Sequence, residues 1–375
     1  MGRIYLSPPD VGALERDALL RAFDSNWITP LGPEVDAFEA EICELTGADA
    51  AAALASGTAG LHLALLLAGV GAGDEIWVST LTFIAPANAV TYVGATLRFI
   101  DSELETWNMD PELLEAALKG AAAEGRLPKA VIVVDLYGQC AQLDRLSELC
   151  DEYGVVMIED AAEAIGATWK GRQGSTYGRY GVFSFNGNKI MTTGGGGALV
   201  GPAEDMERAR YLASQARQPV AHYEHDEVGF NYRMSNLLAA LGRAQLERLP
   251  SIIARCREIN AAYRSGLGDI DGLEFMPWDD RGKPNGWLTV ATIEPSTGVA
   301  PLELCEALAA QGIEARPAWK PMHLQSVFAG VPVVGGDVAA GLFETGVCLP
   351  SGSGLTDDEL DQVVTAVRKV LHHGA

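Results

Sequence analysis

The chain has 375 residues, 48% of them apolar, and sets 27 Lys+Arg against 50 Asp+Glu for a formal charge of −23. That apolar share builds a large core and excludes a disordered chain, and ~100–200 residues per domain allows two domains. The negative excess speaks against nucleic-acid and anionic-membrane partners, while a small phosphorylated ligand in a local pocket stays compatible with it.

Residues 1–9 lack the apolar run of a signal peptide. The most apolar stretch, 59–72, is broken by His62 and by glycines, so no spanning helix is expected. Six cysteines without C-x-x-C spacing read as reduced thiols of a cytosolic protein.

In chain order, the pattern predicts a helix after Ser56-Gly57-Thr58 that carries Leu61, Leu65 and Ala68. Strands follow at 75–79, 96–100 and 130–136, then a helix at 144–153 with Leu146, Leu149, Cys150 and Tyr153 on one face. Further strands are expected at 154–160, 181–185 and 198–200. The continuous apolar runs suit strands of a mostly parallel sheet covered on both faces, an α/β architecture with right-handed crossovers. After about 235 the pattern changes. Two helices, 235–249 and 251–267, are expected to break at Pro250. A strand-like piece at 287–293, a helix from Pro301 and a terminal helix at 356–372 complete a smaller α+β part. The chain is therefore divided into a large α/β domain, 1–245, and a small C-terminal α+β domain, 246–375.

Three segments carry candidate chemistry. Lys189 stands between two expected strands, shortly before Gly194-Gly195-Gly196-Gly197. Glycines let backbone approach a flat group, and a partly buried lysine can condense with an aldehyde. A solvated lysine before a flexible turn is the bland alternative. Asp160 ends an apolar strand, the sheet edge at which ligands bind, although an N-cap would use the same residue. The helix opened by Ser56-Gly57-Thr58 presents free amides that suit a phosphate, or simply an ordinary cap. Gly69, Gly71 and Gly73 follow a helix instead of a strand and do not make a dinucleotide site. His222 and His225 flank Glu224; this pair and His372-His373 read as structural or solvated, a place near a site being the alternative for the first. No spacing suggests a metal, and no G-x-S-x-G elbow suggests a hydrolase.

Taken together, the order of these segments resembles the DegT/DnrJ/EryC1/StrS sugar aminotransferases. Leu81-Thr82-Phe83, Glu159-Asp160-Ala161-Ala162-Glu163, Phe230-Asn231-Tyr232-Arg233 and Ala318-Trp319-Lys320-Pro321 are among the matching blocks. The resemblance implies an aspartate-aminotransferase-like fold (type I) and pyridoxal 5′-phosphate (PLP) as cofactor. It implies that Lys189 joins the cofactor aldehyde and later carries a proton. Asp160 is implied to pair with the ring nitrogen, Phe83 to stack on the ring and Glu163 to bind the phenolic oxygen. Gly57, Thr58 and Ser184 would hold the phosphate, with Asn231 reaching it from the second subunit of a homodimer. Trp319, Lys320, His323 and Arg316 are the implied substrate residues, with Arg217 and Arg233 as further cations for an anionic sugar nucleotide. The blocks together are most similar to the branch that aminates C4 of UDP-4-keto-6-deoxy-N-acetylglucosamine, as in bacillosamine synthesis, and Gly187-Asn188-Lys189 resembles C4 rather than C3 aminotransferases. The implied donor is L-glutamate; a GDP- or dTDP-linked 4-keto-6-deoxyhexose is the alternative acceptor, and a non-catalytic regulator the alternative role.

Overall fold

The computed structural model describes residues 2–373 without the side chains of His372 and His373, so the reading of that pair lies outside the described residues. An eight-stranded sheet dominates. Its order is Ala50–Leu54, Gly197–Gly201, Tyr180–Ser184, Val156–Asp160, Ala130–Val134, Glu75–Ser79, Thr96–Ile100 and Val333–Val334. Only Gly197–Gly201 runs against its neighbours. The segment that leads to it, 185–196, holds no crossover helix, and a chain that turns straight back can only pair antiparallel.

Both faces of the sheet are covered, as the continuous apolar runs demand. In Ala130–Val134, Val131 and Val133 join one core while Ala130 and Ile132 join the other. This is the two-residue period of a strand buried on both sides. Helix Leu143–Tyr153 buries Leu146, Leu149 and Cys150, as its periodicity predicts.

A second, antiparallel sheet orders Leu273–Phe275, Thr289–Ile293, Gly346–Leu349 and Arg316–Pro317. Helices Pro301–Ala309 and Asp357–His373 pack with it around a third core. This is the α+β part expected after 235. It also reaches back, since Val333–Val334 extends the edge of the large sheet.

One element departs from expectation. Residues 236–267 form a single helix, Asn236–Leu267, with Pro250 inside it. A proline there forfeits one backbone bond and strains the turn, at about 3 kcal/mol. Pro250 sits on the exposed face, while Leu249, Ile252, Ile253, Cys256 and Ile259 continue one buried stripe past it. Burying even two such side chains returns more than that cost, at ~1.5–3 kcal/mol each. The helix thus passes residue 245 without interruption.

Candidate active site

The site lies at the carboxyl ends of the large sheet's strands. Asp160 is the last residue of Val156–Asp160 and Ser184 the last of Tyr180–Ser184. Gly57 and Thr58 open helix Gly57–Leu67, which follows strand Ala50–Leu54. With Phe83, Glu163, Lys189 and Trp319, they line one cleft of about 390 Å³.

The helix N-terminus is built for close approach. Ser56 caps it by accepting the Ala59 amide, so the amides of Gly57 and Thr58 have no acceptor within the helix. A Cβ on Gly57 would stand 3.0 Å from the Ser184 Cβ, and one on Gly197 would stand 2.5 Å from the Gly57 nitrogen. Glycine at both positions therefore lets the helix start seat directly against Ser184.

Lys189 is only 12% exposed in its side chain, and its Nζ donates to Glu163 Oε1 at 3.0 Å. The other oxygen, Glu163 Oε2, accepts the Tyr137 amide at 2.7 Å. Nζ also sits 4.4 Å from the ring centroid of Trp287, a cation–π distance. Burial pushes the Glu163 carboxyl up against the pull of Lys189. Burial likewise pushes Asp160 up to about 7; Lys189 pulls it down and Glu163 adds its own push. Deeper in the sheet, burial raises Glu159 to about 7 while it accepts the Ser175 amide at 2.7 Å. The buried Thr82 hydroxyl, on the cleft wall, has no hydrogen-bond partner.

Phe83 is 60% exposed, with its ring 5.9 Å from that of Trp319, and both rings line the cleft. The other sequence candidates stand outside this cleft. Arg316 borders a neighbouring cleft that shares Asn188 and Trp319, and its guanidinium holds Glu314 at 2.7 Å. Lys320 is exposed. His323 turns its Nδ1 to Thr80 Oγ1 at 2.7 Å, and burial pushes its imidazole down against the opposite pull of Asp101 and Asp337. Asn231 is exposed, bridged to Ser214.

The remaining cationic candidates also stand outside this cleft. Arg233 binds Glu39 at 2.6 Å with 7% exposure, a structural cation tying the segment before the long helix to the helix containing Glu39. His222 and His225 do not border the cleft; His222 pairs with Glu224 and His225 with the Gln215 carbonyl. Arg217 stacks on exposed Tyr223. Among the described residues no group of His, Cys, Asp or Glu is arranged to hold a metal, and no helix is long and apolar enough to cross a membrane.

The family model for the DegT/DnrJ/EryC1/StrS aminotransferases matches residues 9–368. The chain belongs to that family. It is 49% identical over 375 residues to EpsN of Bacillus subtilis (strain 168), covering 99% of this chain and 96% of that one; the name given to EpsN is that of a pyridoxal phosphate-dependent aminotransferase. It is 36% identical over 371 residues to the GDP-perosamine synthase of Caulobacter vibrioides, with 98% of each chain covered. The crystal structure of DesI with its TDP-sugar product superposes at a TM-score of 0.91 and 30% identity, covering 100% of this chain and 94% of that one. The chain is thus a PLP-dependent sugar aminotransferase of fold type I.

The residues present fit that cofactor. A half-buried amine, an acid ending a strand, two unsatisfied helix-start amides beside a hydroxyl, and an orphaned hydroxyl at Thr82 converge in a cleft that Phe83 and Trp319 also line. Sequence reasoning missed Tyr137 and Thr82 as participants and left Trp287 without a role. The signal at Tyr137 is conformational: its φ of 54° places its amide at Glu163, while its hydroxyl accepts the Trp319 amide at 2.9 Å.

Proposed function

We propose that this family member transfers an amino group from L-glutamate to C4 of a UDP-linked 4-keto-6-deoxy-N-acetylhexosamine, as a cytoplasmic homodimer. The observation that carries this reading is the convergence of Lys189, Asp160, Ser184 and the Gly57 and Thr58 amides on one cleft. When bound, PLP supplies an aldehyde that accepts the amino group and a protonated ring that draws electron density from the reacting carbon.

The chain's own groups do the rest. Lys189 moves the proton between the donor's Cα and C4′ of the cofactor, general acid–base work by a positioned amine. Asp160 keeps the ring nitrogen protonated. The Gly57 and Thr58 amides and the Ser184 hydroxyl hold the phosphate, where the positive end of the helix favours an anion. Phe83 covers the ring and Glu163 binds its phenolic oxygen. Asn231, exposed and outside its own chain's cleft, completes the phosphate site of the second subunit. Trp319 walls the sugar, and Arg316, Lys320 and His323 flank the nucleotide. The likeness of Gly187-Asn188-Lys189 to C4 enzymes supports the position of amination, and the overall likeness of the chain's blocks to the UDP-sugar branch supports the nucleotide. A second reading, a GDP-linked 4-keto-6-deoxyhexose, is favoured by the name of the Caulobacter relative.

The test is the visible spectrum of the cofactor-loaded protein. L-glutamate should bleach it, and the UDP keto sugar should restore it faster than the GDP- or dTDP-linked sugars at equal concentration. Faster restoration by the GDP sugar would establish the second reading. No bleaching by glutamate would remove this amino donor.

A further inference from the structure

Two groups touch the Lys189 amine, the Glu163 carboxylate and the Trp287 ring, and both hang from one buried side chain. Asn285 has no exposed surface. Its Nδ2 donates to the carbonyl oxygens of Glu163 at 2.7 Å and Ile165 at 3.0 Å, holding the turn that carries the carboxylate. Its Oδ1 accepts the Trp287 amide at 2.9 Å, holding the indole. Its own amide donates to the Gly138 carbonyl at 2.8 Å, next to Tyr137, whose amide holds Glu163 Oε2. A Cβ on Gly138 would stand 1.9 Å from Asn285 Oδ1, so this loop and the amide are packed to the limit. The Trp287 indole N–H in turn donates to the carbonyl of Asn188, the residue before the lysine, at 2.8 Å.

Only a primary amide offers two donors on one nitrogen and an acceptor beside it in so small a volume. Aspartate would face two carbonyl oxygens with a carboxylate, and alanine would leave three buried backbone groups unpaired. The lysine lies in the large sheet's return connection, whereas Asn285 comes from the segment before strand Thr289–Ile293. The side chain therefore ties the two parts of the fold together at the amine.

From this geometry we infer that Asn285 is the positioning residue of the active-site lysine, holding the carboxylate and the indole against its amine at one fixed spacing. The inference rests on the aminotransferase reading for its consequence in turnover, though the anchoring itself does not need it. The lysine must reach two reaction centres with a proton, and a displacement of about 1 Å costs rate out of proportion to binding.

The test uses cofactor-loaded protein bearing Asn285→Ala, Asn285→Asp or Glu163→Gln, and the double variant Asn285→Ala/Glu163→Gln. Protein carrying a full complement of cofactor is compared by visible circular dichroism, which reports how rigidly the cofactor is seated. Asn285→Ala should lose at least half of that band and lower kcat at least tenfold with KM for L-glutamate within threefold. The double variant should lose no more than the worse single variant, because the two side chains act through one lysine. Asn285→Asp, which keeps the acceptor for the Trp287 amide, provides the same comparison should the alanine variant fail to fold. Full dichroism with kcat within twofold of wild type would overturn the proposal, as would additive losses in the double variant. If wild-type protein is not bleached by L-glutamate, the donor assignment fails, and the dichroism of the single variants still decides the anchoring.

Discussion

The two ends of the cleft are held in opposite ways. At the inner end, Asp160 and Glu163 are buried, Lys189 is half-buried, and all three have partners within the protein: a backbone amide for each acid and the Glu163 carboxylate for the amine. At the rim, Arg316 and Lys320 are exposed, and Phe83 and Trp319 present ring surface to the opening. A buried charge must be paired or it changes its protonation, so the inner end is rigid and tuned. An exposed cation contributes little until a ligand orders it. On the proposed function the difference would separate two properties of the enzyme: the inner end would set which chemistry is done, and the exposed groups would be free to vary with the sugar nucleotide.

Lys189→Ala attacks the inner end most directly and should cost on the order of 10³-fold or more in kcat. Circular dichroism in the far ultraviolet should be unchanged, and turnover within tenfold of wild type would place the proton transfer elsewhere.

Asp160→Asn tests whether the inner end is also tuned by burial. In the cofactor-free protein, on which the melting is followed, burial pushes Asp160 up to about 7 in the fold, against about 4 in an unfolded chain. Between those values the native state binds more protons, so its stability declines as pH rises through that window. The asparagine variant has no such proton to lose. Its melting temperature should fall less from pH 4 to pH 7 than that of wild type, and its kcat should drop on the order of 10²-fold. Parallel melting profiles would show that Asp160 is not the group that titrates there.

Arg233→Ala and Arg316→Ala should divide cleanly between stability and binding. Removing Arg233 strips the buried Glu39 of one partner and should cost about 3 kcal/mol, the scale of a broken buried pair. Its folded fraction should keep the wild-type kcat. Arg316→Ala should leave the melting temperature within a degree or two and raise KM for the nucleotide sugar several-fold. A destabilised Arg316 variant, or an unchanged KM, would erase the contrast between the rim and the inner end.

Much of this arrangement was legible in the residues themselves. The strands at 75–79 and 96–100 were readable at their full length, and Lys189 between two strands and Asp160 at a strand end follow from local apolar runs. The strand Ala50–Leu54 was not, because four alanines and a leucine carry the propensity of a helix. Their small side chains become a strand only by pairing with Gly197–Gly201 beneath helix Gly57–Leu67. Nor could the helices Ala13–Asp24 and Pro33–Thr46 be placed from their own pattern. They pack on the long helix, far away in sequence, and Glu15 is buried there against Gln245 and Arg248.

The sequence by itself carried the strand-end positions of the candidate residues, through local apolar runs, and carried the family and cofactor through a likeness of many blocks spread along the chain. Only the tertiary structure decided that the long helix runs through Pro250, that Arg233 serves Glu39, and that Asn285 meets Glu163 and Trp287 around one amine. Those outcomes are settled by burial and by hydrogen bonds such as those spanning 194 residues from Arg233 to Glu39 and 122 from Asn285 to Glu163, where a local pattern carries no information about the partner.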